Sequence, residues 1–201
     1  MIYKMNLQNK LKTALTEAQT ILSNFCDDPA NIDWIANIAT SLGKAFSNGN
    51  KILICGNGGS HCDALHFAEE FTGRYRDNRP ALPVLALGDA AHLTCVGNDF
   101  GFDHVFARSV EAFGKPGDWL ILLTTSGKSP NLMLAAKKAK EKDMHTLAFL
   151  GKTGGPLKDF CEHQLLIAAK TSDRIQEMHM LILHVLIEGI ERTLYPELYD
   201  S

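Results

Sequence analysis

The sequence predicts an α/β protein built on a doubly wound, five-stranded parallel sheet flanked by helices, with a helical pair ahead of it. Three observations carry that prediction. Five short runs, at 51–56, 82–88, 119–125, 145–151 and 163–169, are apolar throughout rather than alternating, which suits strands covered on both faces. Helical patterns separate them, as parallel connections require. The first and third runs are followed by segments rich in glycine or hydroxyls, where such sheets place their ligands.

The elements follow in order. "NLQNKLKTALTEAQTILSNF" (6–25) and "NIDWIANIATSLGKAFSNG" (31–49) repeat apolar residues at three- and four-residue spacing and read as helices. "SNGN" ends the second, and "KILICG" begins the sheet. Helices are predicted at 60–75, 102–114 and 130–142, and a long one over 172–194. The last opens with Ser172 or Asp173 as its cap and becomes apolar nearly all round beyond Met178, so it lies in the core or in a subunit interface. The expected organisation is one domain over 1–201, with 1–49 as the helical pair and 50–201 as the sheet domain ending in that interface helix.

Composition excludes several classes. The chain has 201 residues, 45% hydrophobic and 21% charged, with a net charge of −3. It lacks the basic stripe of a nucleic-acid binder, and "AAKKAKEK" (135–142) reads as a solvated helix face. Cys26, Cys55, Cys62, Cys95 and Cys161 are odd in number and contain no C-x-x-C pair, which argues against a disulfide framework or a four-cysteine zinc site. Lysines interrupt the N-terminal apolar runs, and no apolar run reaches membrane-span length. A cytoplasmic protein without nucleic-acid or membrane partners is expected.

"GNGGS" (56–60) is either a tight strand-to-helix turn or an anion loop. "TTSGKSPN" (124–131) offers Thr124, Thr125, Ser126 and Ser129 at a helix start, a cradle suited to a phosphate dianion. Its "GKS" imitates a nucleotide P-loop, but that motif needs glycine at position 122, which is Leu122. Two such loops without a G-x-G-x-x-G fingerprint favour a small phosphorylated ligand over a dinucleotide. On the helix after the first loop, His66 and Glu70 share a face, as a surface pair or as site residues. On the last helix Gln176 and His184 lie about 80° apart on one flank. His179 points elsewhere and reads as an interior histidine with a structural partner.

Taken together, "CGNGGSHCDALHFAEEFTGRYRDNRP", "CVGNDFGF", "TTSGKS" and "SDRIQEMHM…H" resemble the phosphoheptose (sedoheptulose-7-phosphate) isomerases of the sugar-isomerase (SIS) domain superfamily, from about residue 50 onward. The resemblance implies a flavodoxin-like sheet, a homotetramer with active sites between subunits, and conversion of D-sedoheptulose 7-phosphate to D-glycero-D-manno-heptose 7-phosphate for ADP-heptose and lipopolysaccharide core synthesis. It implies sugar contacts from Asn57, Gly58, Gly59, Ser60, Asn98, Asp99 and Gln176, and a phosphate site of Thr124, Thr125, Ser126 and Ser129. It further implies a zinc ion held by His66, Glu70, Gln176 and His184. Glutamine is an unusual ligand and Glu70 is also the expected base, so a weak or partly occupied metal site is expected.

In this reading Glu70 moves the proton between C1 and C2 of the bound sugar, and His184 is the acid. "GNGGS" then holds the reacting end of the sugar, which is why imidazole and carboxylate follow it. One departure is Lys128, where the family pattern has a small or amide residue: it either adds charge at the phosphate or points to solvent. The alternative is a non-catalytic SIS-domain protein that binds the replication initiator; His184 together with His66 and Glu70 favours the enzyme. A sugar-phosphate-sensing regulator would need a basic DNA-binding domain that the sequence lacks.

Overall fold

The computed structural model describes residues 2–199, with side chains from Asn6 onward. Met1, Asp200 and Ser201, the ends of the predicted 1–201 domain, lie outside the described residues. Helices α1 (Ile2–Cys26) and α2 (Pro29–Ser47) come first. Asp28 caps α2, its side chain accepting from the Ala30 N–H, with Pro29 at the first helical position. Both choices satisfy or remove donors that a helix start leaves free.

The sheet comprises β1 (Ile52–Gly56), β2 (Val84–Ala86), β3 (Trp119–Leu123), β4 (His145–Gly151) and β5 (His163–Ile167), all parallel, in the order β2-β1-β3-β4-β5. Side chains of the central strands alternate between two cores. Ile52, Ile54, Trp119, Ile121, Leu123, Leu147 and Phe149 pack beneath α2 and the helices α3 (Gly59–Thr72) and α8 (Ser172–Leu194). Leu53, Cys55, Leu120, Leu122, Ala148 and Leu150 pack on the other face with α5 (Val105–Phe113) and α6 (Pro130–Glu141). Two buried faces explain why these strands read as unbroken apolar runs. The edge strand β5 departs from that reading: Gln164 and Leu166 are exposed, while Leu165 and Ile167 face the core; the single turn α7 (Leu157–Phe160) precedes it.

A further helix, α4 (Ala90–Asp99), was absent from the sequence expectation. Its periodic signal is weak, since only Val96 is fully buried. The legible signal was Asp89, whose carboxylate accepts from the N–H groups of Ala91 and His92. The predicted strand 82–88 shortens to three residues, preceded by Pro83. A 3₁₀ turn (Phe102–His104) leads into α5, and another (Pro196–Leu198) follows α8.

The reversal of strand order between β1 and β3 leaves a crevice at their carboxyl ends, the usual ligand position in open α/β sheets. Both loops singled out in the sequence leave from it. His179 is an interior residue as expected, fully buried with its Nε2 3.1 Å from the Leu150 carbonyl oxygen, but only half satisfied, since its Nδ1 is buried without a hydrogen-bond partner among the described residues. Burial disfavours its charged form and lowers its pKa from 6.5 to about 4, although the bond to Leu150 opposes this. The unfolded chain therefore takes up this proton first as pH falls. The contribution to stability is complete above pH 6.5 and lost as pH drops toward 4; at pH 5 the loss is of order 2 kcal/mol. Denaturant titrations at pH 7 and pH 5 should register that drop, and His179→Gln should be markedly less sensitive over the same interval.

Candidate active site

Gly56 closes β1, and Gly58 turns the chain into α3 with φ +57° and ψ −124°. Gly59, the first residue of α3, lies against the Gln176 amide: a Cβ there would come 2.7 Å from Nε2. Close approach is what this glycine supplies. Gln176 Nε2 also donates to Ser60 Oγ at 3.4 Å, with Ser60 buried. The Asn57 side chain pairs in both directions with Asn131 on α6, donating at 3.0 Å and accepting at 2.9 Å. This reciprocal amide pair joins the first loop to the start of the helix that follows the second.

In the second loop Thr124 is buried, and its Oγ1 accepts from the N–H groups of Ser126 (3.3 Å) and Gly127 (3.1 Å). That hydroxyl oxygen shapes the turn. Thr125 Oγ1 is 3.2 Å from Ser172 Oγ at the start of α8, and Ser126 Oγ accepts from the Lys128 N–H. Ser129 is the N-cap of α6 but makes no side-chain capping bond, so its hydroxyl and the first free N–H groups of the helix remain open to a ligand. Lys128 is exposed. Gly127 has φ +65°, and a Cβ there would stand 1.7 Å from the Gly154 carbonyl oxygen.

The third component forms where α3 passes α8. His66 Nε2 is 3.3 Å from Glu70 Oε1, and His184 Nε2 is 3.9 Å from the same oxygen. The side chains are 46%, 14% and 32% exposed for His66, Glu70 and His184, so the carboxylate is the most enclosed of the three. The two imidazoles meet edge to face at 5.0 Å, and Tyr75 stacks on His184 at 5.9 Å. Burial lowers the His184 pKa, His66 lowers it further, and Glu70 partly opposes them. Neutral imidazole, with a lone pair to offer, is thereby favoured.

Donor atoms of His66, Glu70 and His184 lie within 4.8 Å of one another. Two imidazoles and a carboxylate are a donor set that fits zinc. Gln176 stands two turns before His184 on the same flank of α8, against Gly59 and Ser60. Asn98 and Asp99 are exposed at the end of α4 and bonded to each other at 2.7 Å. Among the described residues no hydrogen bond joins either of them to the two loops.

The SIS domain family matches residues 15–151. A phosphoheptose isomerase of Fusobacterium nucleatum is 47% identical over 195 residues, which span 97% of this chain and 98% of that protein. The chain belongs to the phosphoheptose isomerase family of SIS-domain proteins. Solved phosphoheptose isomerase structures from Francisella tularensis and Neisseria gonorrhoeae share the fold, with TM-scores of 0.86 and 0.85 at 34% and 36% identity. Each alignment covers 92% of this chain and 98% of the other.

Several residues of this SIS domain went unread in the sequence. Asp63 precedes His66 by one turn and Glu70 by two, so all three share a face of α3. Burial raises its pKa to about 6, against an opposing effect of His66, and its Oδ2 is buried without a hydrogen-bond partner in the described structure. The spacing D-x-x-H-x-x-x-E was a legible signal. Asn131 and Tyr75 carried no such signal, because their partners are distant in the chain; Ser172, expected as a cap, lies one residue inside α8 after the N-cap Thr171 and meets Thr125 instead. Gly127→Ala meets a backbone carbonyl at a positive φ; it should destabilise the domain by roughly 2–4 kcal/mol, measured as a fall in denaturant midpoint.

Proposed function

We propose that this chain is a phosphoheptose isomerase, interconverting D-sedoheptulose 7-phosphate and D-glycero-D-manno-heptose 7-phosphate in the supply of ADP-heptose for lipopolysaccharide. The observation that carries the proposal is the meeting of Glu70 with His184. They come from separate helices, with Oε1 and Nε2 3.9 Å apart, and Glu70 lies on the helix that follows β1. A hydroxyl-rich helix start follows β3, the adjacent strand. One end of the crevice suits proton transfer and the other suits a phosphate.

The chemistry follows from those groups. Glu70 takes a proton from C1 of the ketose, and the electron pair left behind forms an enediolate across C1 and C2. The same carboxylate returns the proton to C2. His184 relays the hydroxyl proton from O1 to O2, so O1 becomes the aldehyde oxygen. Ser129 and the α6 N–H groups take the phosphate, with Thr125 and Ser126 beside them. His66, Glu70 and His184, with Gln176 as a fourth donor, are the residues that would hold zinc. When bound, the ion would supply Lewis-acid polarisation of the sugar oxygens.

The proposal includes a homotetramer and a cytoplasmic location. Leu7, Leu11 and Leu15 form an exposed apolar stripe on α1 at four-residue spacing, and Leu181 and Val185 are exposed on α8; such faces suit contacts between subunits. All five cysteines are free, three of them exposed, as in a reducing compartment. No helix among the described residues is long and apolar enough to cross a membrane.

NMR of sedoheptulose 7-phosphate with the protein in deuterated water should reveal an aldoheptose phosphate carrying deuterium at C2. Glu70→Gln should lower turnover by ~10²–10⁴-fold with the fold retained. Absence of conversion with ligand binding intact would point to a binding protein. In a dye-competition titration zinc should bind the wild type, and His66→Ala or His184→Ala should weaken it roughly 10- to 100-fold, at least what losing an outer-shell partner costs.

A further inference from the structure

Helix α3 ends at Thr72, so the Glu70 and Phe71 carbonyl groups have no partners within the helix. One guanidinium reaches both, and the Phe71 oxygen also accepts from the Leu82 N–H at 3.0 Å. Arg79 donates from Nη2 to the Glu70 carbonyl oxygen at 2.7 Å and from Nη1 to the Phe71 carbonyl oxygen at 2.7 Å. Its Nε donates to Glu191 Oε1 on α8, also at 2.7 Å. The other Glu191 oxygen accepts from the Tyr199 hydroxyl at 2.6 Å. The Arg79 and Glu191 side chains are each 1% exposed.

We propose that Arg79 is a positioning residue for the Glu70–His184 pair, acting through a buried clamp that Glu191 and Tyr199 complete. The inference rests on the assignment of Glu70 as base. Glu191 follows His184 by seven residues, about two turns along α8 and about 20° around it, so both occupy one flank. The backbone of Glu70 is thus tied, through one arginine, to the helix that carries His184. A buried ion pair adds little net stability over apolar packing, and its contribution here is geometric. Lysine can neutralise Glu191 but lacks the planar fork needed to bind two carbonyls and a carboxylate together.

Tyr199 closes the clamp from beyond the end of α8. Its ring lies 4.4 Å from the Arg192 guanidinium, Arg192 pairs with Glu188, and Glu188 pairs with Arg76. The C-terminal turn is thereby tied to α8 and to Arg76. Among the described residues none of these groups bonds to the 124–129 loop, so the clamp should act on the Glu70–His184 end and not on that loop.

Steady-state kinetics of full-length Arg79→Lys, Tyr199→Phe and Glu70→Gln, each with its melting temperature, test the idea. Misplacing a catalytic group by a fraction of its working distance should lower kcat by about 10- to 100-fold in Arg79→Lys and about 3- to 10-fold in Tyr199→Phe. KM for sedoheptulose 7-phosphate should stay within about twofold, the pattern of an interaction acting in the transition state. Folded Arg79→Lys and Tyr199→Phe with wild-type kcat, beside an inactive Glu70→Gln, would overturn the clamp and leave the base assignment standing. So would a kcat loss that only tracks loss of folded protein. Should Arg79→Lys fail to fold, Tyr199→Phe decides alone. An active Glu70→Gln would remove the base assignment, and the clamp with it.

Discussion

Helices α3 and α8 lie on the same face of the sheet, and the chemistry of the site depends on how they approach each other. The buried residues Ile175, Met178, Ile182, Leu183, Leu186, Ile187 and Ile190 hold α8 down on the sheet and on α2. Gly189 lets α2 come close: a Cβ there would meet Ala39 Cβ at 2.8 Å. With that stripe committed to the core, Gln176, His184 and Glu191 share the flank that faces α3. Each meets a different level of α3: Gln176 its first residues, His184 its middle and end at His66 and Glu70, and Glu191, through Arg79, its last carbonyls.

That contact also explains how one small crevice accommodates a negative ligand and a carboxylate. Hydroxyls and helix N–H groups collect at the end of β3, and carboxylate and imidazoles collect on α3 beyond β1. The Asn57–Asn131 amide pair spans the two and carries no net charge. An anionic group at the β3 end would meet hydroxyls and helix dipoles rather than the carboxylate of α3. Partial burial adjusts the reacting end: it keeps the His184 pKa down and pushes Asp63 up to about 6.

The sheet was legible because each strand is a local apolar run and each neighbouring helix a local period. Helix α4 escaped because it buries too little to leave a period, and its Asp89 cap was the only strong sign of it. The loops after β1 and β3 were legible as turns into helices through Gly58, Gly59, Thr125 and Ser129. Their detailed bonding was not: Thr124 turned out to shape its own loop, and Asn57 to pair with a residue 74 positions away.

By itself, then, the sequence determined the α/β class, the position of both loops and the chemical types gathered near them, since caps, glycines and apolar spacing act over a few residues. Which of those groups touch was decided only by tertiary structure. His66 and Glu70 are one helical turn apart and would be neighbours in any helix. Glu70 meets His184, and Arg79 meets Glu191 from 112 residues away, only because two helices are packed side by side on one sheet face. The physical reason is burial: removing apolar stripes from water sets where each helix lies, and the polar residues meet wherever that packing leaves them.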